Sequence, residues 1–171
     1  TSMNLEQAIM TALQYENKLV DIYLQGVKDT NDPKGKKIYQ ALADDEQNHV
    51  SYLKEKLQQL KATGQITVEQ LESAIPPAEV IRKEEAKASS SMSKKDSGLQ
   101  EQHLSKALEV EKETSRFYQQ LVSELPEEEQ ALFSRFLEIE NAHIEAVQFE
   151  LDYVSHSGTW FGFEEFNLEV E

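Results

Sequence analysis

The chain has 171 residues, enough to bury a sizeable core in one domain or two small ones. Acidic residues outnumber basic ones by 32 to 17, a net charge of −15, which argues against nucleic acid or an anionic membrane as partner because both need basic patches. There is no cysteine, so disulfides, thiolate metal sites and thiol chemistry are excluded, and no apolar run approaches the roughly 20 residues of a membrane helix.

The opening stretch TSMNLEQAIM lacks the basic start and long apolar core of a signal peptide, so a cytoplasmic location is expected. Glycine (6) and proline (4) are scarce and fall mostly between segments, which favours helices. The first apolar stripe is Leu5, Ala8, Ile9, Ala12, Leu13, Leu19, Val20, Tyr23 and Val27, at helical spacing. One member is missing, because position 16 is Glu16. After the break KDTNDPKGKK, a second stripe runs Ile38, Ala41, Leu42, Leu53, Leu57, Leu60 and ends at Gly64. Its middle positions are Glu46 and His49, with Asp45 at the stripe's edge.

Residues 63 to about 97 form a long connection. Thr67 with Gln70 reads as a capping box for a short helix, Pro76 and Pro77 interrupt the segment, and SSSMSKKDSG reads as a loop. So long a connection makes sense if it crosses the length of a bundle. The third stripe is Leu104, Ala107, Leu108, Tyr118, Leu121, Val122 and Leu125, with Glu111 on it and Glu109 and Glu113 about 200° away, facing solvent. Pro126 opens the fourth helix. Its stripe is Leu132, Phe133, Phe136, Ile139, Val147, Leu151 and Val154, interrupted by Glu140 and His143. His103 and His156 read as surface residues. Residues 157–171, with Trp160, Phe161 and Phe163, and with Phe166, Leu168 and Val170 alternating with polar residues, read as an extended tail that packs on the bundle or on a second subunit. A homodimer is expected.

Each long helix thus buries one carboxylate, and the second and fourth add a histidine three residues on. The halves match in order: ALQYENKLVDIY and ALEVEKETSRFY both read Ala-Leu, then Glu three after the Leu, then Tyr seven after the Glu. A lone ionised carboxylate in an apolar core costs several kcal/mol or more, and four repel one another. No Lys or Arg occupies the stripes near these positions. The competing reading, that each Glu leans out to solvent, has to hold on all four helices at once. Two divalent cations balance four carboxylates, and the oxygen and imidazole donors suit iron or manganese. A Glu from each of two helices and Glu-x-x-His from the other two is the di-iron carboxylate arrangement of four-helix bundles. Glu46 and Glu140 are then the bridging ligands, Glu16 and Glu111 the terminal ones, and His49 and His143 complete the two ends.

On Glu16, Glu46-x-x-His49, Glu111, Glu140-x-x-His143, Tyr23 and Tyr118, the chain resembles the rubrerythrin family of ferritin-like di-iron proteins, over roughly residues 4–155. The resemblance implies an all-α, ferritin-like four-helix bundle over residues 1–156. It also implies a long crossover between the second and third helices, and two irons that react with dioxygen or hydrogen peroxide. Manganese or zinc are the alternative occupants. Two departures stand out. Without cysteine the chain cannot carry the family's four-cysteine rubredoxin iron site, so an external electron donor is expected. Where the family has an extra, movable Glu, the chain has Thr114. A π-bulge after Glu111 can bring Glu113 into that role. Tyr23 and Tyr118 are either core residues or hydrogen-bond partners that orient the ligating carboxylates. The expected activity is peroxidase- or oxidase-like. The rivals are ferroxidase or iron handling, a manganese catalase, and a metal-stabilised interaction bundle without catalysis.

Overall fold

The structure, a computed structural model, describes residues 3–88 and 98–162. It is all-helical: α1 (Leu5–Asp29), α2 (Pro33–Thr63), α3 (Ala78–Ala88), α4 (Gly98–Glu124) and α5 (Glu127–Ser157), with no strand among the described residues. Among the described residues, no helix is long and apolar enough to cross a membrane.

Local chemistry sets the helix ends. Asn4 and Gln7 form a capping box at the start of α1: Gln7 N–H donates to Asn4 Oδ1 (2.8 Å) and Asn4 N–H to Gln7 Oε1 (3.1 Å). Asp32 caps α2, with Pro33 in its first turn where a missing N–H does no harm. Gly64 and Gly158 close α2 and α5 in the left-handed region, at φ 79° and 74°. Pro126 stands just ahead of α5, one residue earlier than a first helical position.

α1 packs along α2, α4 along α5, and α1 against α4. Two apolar clusters result. One gathers Leu19, Tyr23, Ile38, Leu42, Leu104, Leu108 and Val147; the other gathers Ile9, Ala12, Leu53, Tyr118, Leu121, Phe133 and Phe136. The interrupted stripes explain the division. On each long helix the acidic residue falls in sequence between members of the two clusters, so a polar layer lies between two apolar ones.

The connection between α2 and α4 contains a fifth helix, α3, packed against α5. The capping box expected at Thr67 does not form. Residues 65–73 are irregular, and the Thr67 hydroxyl donates to Glu69 Oε1 (2.8 Å) instead. Side chains of α2 hold this strand of chain in place. Lys56, fully buried along its stem, places its ammonium on the Glu69 carboxylate, and Tyr52 Oη donates to Glu69 O (3.0 Å). Arg135 of α5 donates from Nε to Leu71 O (2.8 Å).

Beyond α5 the chain folds back on the bundle. Trp160 is buried, edge-on to Tyr39 at 5.3 Å, and the buried Glu150 carboxylate accepts the Phe161 and Gly162 amides (2.9 and 3.1 Å). The alternating segment from Phe166 to Val170, like Phe163, lies outside the described residues.

Gly35 illustrates how tight this corner is. A Cβ there would lie 2.6 Å from the indole of Trp160 and 2.7 Å from Thr30 Cγ2. Helix propensity alone favours Ala over Gly by about 1 kcal/mol, but overpacking typically costs about 1–3 kcal/mol. We expect Gly35→Ala to lower the thermal midpoint and shift the Trp160 emission. A raised midpoint would show that the indole is free to move aside.

Candidate metal centre

Glu16 of α1, Glu46 and His49 of α2, Glu111 of α4, and Glu140 and His143 of α5 are all completely buried. They form two overlapping sets. Glu16, Glu46, His49 and Glu140 each offer a ligand atom within 4.8 Å of the others, and so do Glu46, Glu111, Glu140 and His143. Glu46 and Glu140 belong to both.

Each imidazole turns Nδ1 toward the acids. His49 Nδ1 lies 3.2 Å from Glu16 Oε2, 3.4 Å from Glu46 Oε2 and 3.2 Å from Glu140 Oε1. His143 Nδ1 lies 2.6 Å from Glu46 Oε1, 3.3 Å from Glu111 Oε1 and 3.5 Å from Glu140 Oε2. The two rings are parallel within 3°, 5.9 Å apart.

The tyrosines cross between halves. Tyr23 of α1 donates to Glu111 Oε1 of α4 (2.5 Å), and Tyr118 of α4 donates to Glu16 Oε1 of α1 (2.6 Å). Their place seven residues after a Glu therefore serves the Glu of the other half. Burial first, then the facing carboxylate, raises both hydroxyls well above the usual phenol range, so they stay protonated donors.

Charge is unevenly distributed. Burial first, then the neighbouring acids, raises Glu46, Glu111 and Glu140 above the usual carboxylate range. Burial also opposes ionisation of Glu16, but the His49 charge and hydrogen bonds outweigh it and lower that carboxyl to about 2. Burial disfavours the imidazolium forms, yet the surrounding carboxylates raise both histidines well above the usual imidazole value.

The donor set fits cations better than protons. Eight carboxylate oxygens face four donors, the two tyrosine hydroxyls and the two Nδ1 atoms. Both oxygens of Glu46 and of Glu140, and Oε2 of Glu111, have no aligned donor except a neighbouring carboxyl, despite complete burial. Native proteins rarely leave such atoms without a partner. Carboxylate oxygen with imidazole nitrogen is a donor set for iron, manganese or zinc. These buried groups can hold a metal ion.

Other sequence candidates fall outside the cluster. Glu109 is exposed, and Glu113 is half-buried beside Tyr15, Arg116 and Phe117. α4 is regular α-helix through this region, so no π-bulge swings Glu113 inward. Thr114 is buried and returns its hydroxyl to Val110 O (2.7 Å). His103 faces Asp29 (3.5 Å), and His156 is exposed.

Asp45 is the residue that sequence reasoning undervalued. It is buried, and its Oδ2 lies 2.7 Å from His143 Nε2. It also accepts from Ser73 Oγ (2.6 Å) and Ala74 N–H (3.0 Å). Burial raises its carboxyl, but the His143 hydrogen bond and charge, with the Ser73 and Ala74 donors, bring it to about 2. Its partners lie 28 to 98 positions away, where local spacing carries no signal.

The chain matches no protein-family model, no curated protein and no solved structure.

The metal-free protein should be sensitive to pH. Glu46, Glu111, Glu140, His49 and His143 have folded values above their unfolded ones, so the folded state binds more protons. Their contribution is fully present below the unfolded carboxylate value and is lost as pH rises through the folded values. Glu16 and Asp45 act oppositely, losing their contribution as pH falls toward about 2. We expect the thermal midpoint of chelator-treated protein to fall as pH rises above the usual carboxylate range. A flat or rising profile would contradict a proton-holding cluster.

Proposed function

We propose that the chain is a ferritin-like four-helix bundle that binds two irons and reduces hydrogen peroxide or dioxygen, re-reduced by an external electron donor. One observation carries the reading: two buried four-residue sets share Glu46 and Glu140. That is the pattern of two adjacent cations with two common carboxylates. In this reading Glu46 and Glu140 would be shared by both ions, Glu16 and Glu111 would each hold one, and His49 and His143 would each offer Nδ1.

When bound, two ferrous ions would supply the two electrons that, with two protons, take hydrogen peroxide to water or dioxygen to hydrogen peroxide. The protein's part is to position and to exclude. Tyr23 and Tyr118 fix one oxygen of each terminal carboxylate, which leaves its second oxygen aimed at a single direction. Phe136, edge-on to His49 at 5.0 Å, and the apolar layers on either side keep bulk water from the acids. Among the described residues, no further carboxylate stands with Glu16, Glu46, Glu111 and Glu140 in the two sets, so the six residues named would be the protein's ligands. The homodimer and the cytoplasmic location remain part of this proposal. Trp160 and Phe161 pack on their own chain.

Anaerobic reconstitution with ferrous ion tests the reading. Two irons per chain are expected, with optical changes on adding peroxide and repeated turnover when a reductant is supplied. Glu46→Ala should weaken both ions, His49→Ala mainly one, and Glu46→Ala/Glu140→Ala should abolish loading. Tight loading of two irons by that double variant would reject the site, whereas loading without turnover would favour a metal-stabilised scaffold.

Stability offers a separate check. An ion that binds only the folded state at 100 times its Kd adds about 2.7 kcal/mol. For a chain of this length that is a rise of roughly 5–10 °C in midpoint. Saturating ferrous or manganous ion should give at least this rise at neutral pH, with release of protons. An unchanged midpoint would count against a buried centre.

A further inference from the structure

The two halves of the cluster are not equivalent, and Asp45 makes the difference. His143 has a carboxylate on its Nε2, 2.7 Å away. His49 has nothing there: its Nε2 is buried without a hydrogen-bond partner, and its ring stands edge-on to Phe136. The repeat explains why. Glu46 of α2 corresponds to Glu140 of α5, so Asp45 corresponds to Ile139, and an isoleucine can accept nothing. Asp45 is in turn held from outside, by Ser73 Oγ and Ala74 N–H in the crossover. The crossover therefore reaches one half of the cluster through a chain of three groups, Ser73 to Asp45 to His143.

A histidine that ligates through Nδ1 must keep its proton on Nε2. A carboxylate at Nε2 selects that tautomer and fixes the plane of the ring, while an unpartnered Nε2 does neither. Resting on the two-cation reading above, we infer that Asp45 is a positioning residue that makes the two cation positions unequal. The position served by Glu111 and His143 fills first, and that served by Glu16 and His49 fills second. Ser73 contributes by holding Asp45 in line.

Titration of the chelator-treated full chain with cobalt(II), without oxygen, tests this by calorimetry and by visible absorption. The wild type should bind two ions in two separable steps. His143→Ala should remove the tighter step and His49→Ala the weaker one. Asp45→Asn keeps the size of the side chain and an acceptor for Ala74. It should weaken the tighter step by roughly 10–100-fold and leave the weaker step in place, so that the two converge. In a His143→Ala background, Asp45→Asn should add nothing. Ser73→Ala, which spares the carboxylate, should move the same step by less, and it carries the test if Asp45→Asn fails to fold.

A general loss of structure would shift both steps together, and that result overturns the inference. So do two equal affinities in the wild type, or unaltered steps in a folded Asp45→Asn protein. The two readings fail differently. A wild type that binds no pair of ions overturns the two-cation reading and this one with it. A wild type that binds two, with Asp45→Asn unaltered, overturns only the role of Asp45.

Discussion

Four carboxylates and two imidazoles, buried together in the middle of a helical protein, set the terms for everything around them. Taking one such charge out of water costs several kcal/mol even after relaxation, and like charges at close range add to it. Protons and tyrosine hydroxyls offset part of this, and they leave five carboxylate oxygens with no aligned donor except a neighbouring carboxyl. The fold tolerates the layer because apolar clusters on both sides are large and aromatic. Tyr23 and Tyr39 stand on one side, and Tyr118, Phe133 and Phe136 on the other.

That layer dictates the long elements. Helices of 25 to 31 residues place the acids well inside and still leave turns at both ends for core packing. The Glu-x-x-His spacing matters because residues three apart on a helix share a face. His49 and His143 thereby reach the same acids as their partners Glu46 and Glu140, with parallel rings. The crossover adds a side wall, fastened by Lys56 to Glu69, Arg135 to Leu71 and Asp45 to Ser73.

Much of this was legible along the chain because it depends on local period. An acid in place of an expected apolar residue marked Glu16, Glu46, Glu111 and Glu140 one helix at a time, and all four are buried. The same period set Glu113 aside, and the structure keeps it outside the cluster. What escaped depends on pairing across distance. Asp45 lies at the stripe's edge, about 40° from His49 at helical spacing, but its pairing with His143 and with the crossover depends on a path that no local pattern predicts. The false capping box at Thr67 has the same origin. Its hydroxyl and neighbouring backbone find partners on α2, at Gln59 and Lys56, and these replace a helical turn. The direction of the tyrosines was half readable: their offset from Glu is plain, but which Glu they serve is decided by how the hairpins meet.

The crossed tyrosines also bear on how the molecule comes apart. Tyr23 completes an acid that belongs to the second hairpin, and Tyr118 completes one that belongs to the first. Neither hairpin can peel away without stranding a carboxylate in the other and losing its own phenol's partner. The centre acts as a clasp fastened from both sides. Loosening it demands that both halves let go together, which makes opening of the protein a cooperative event and not a stepwise one.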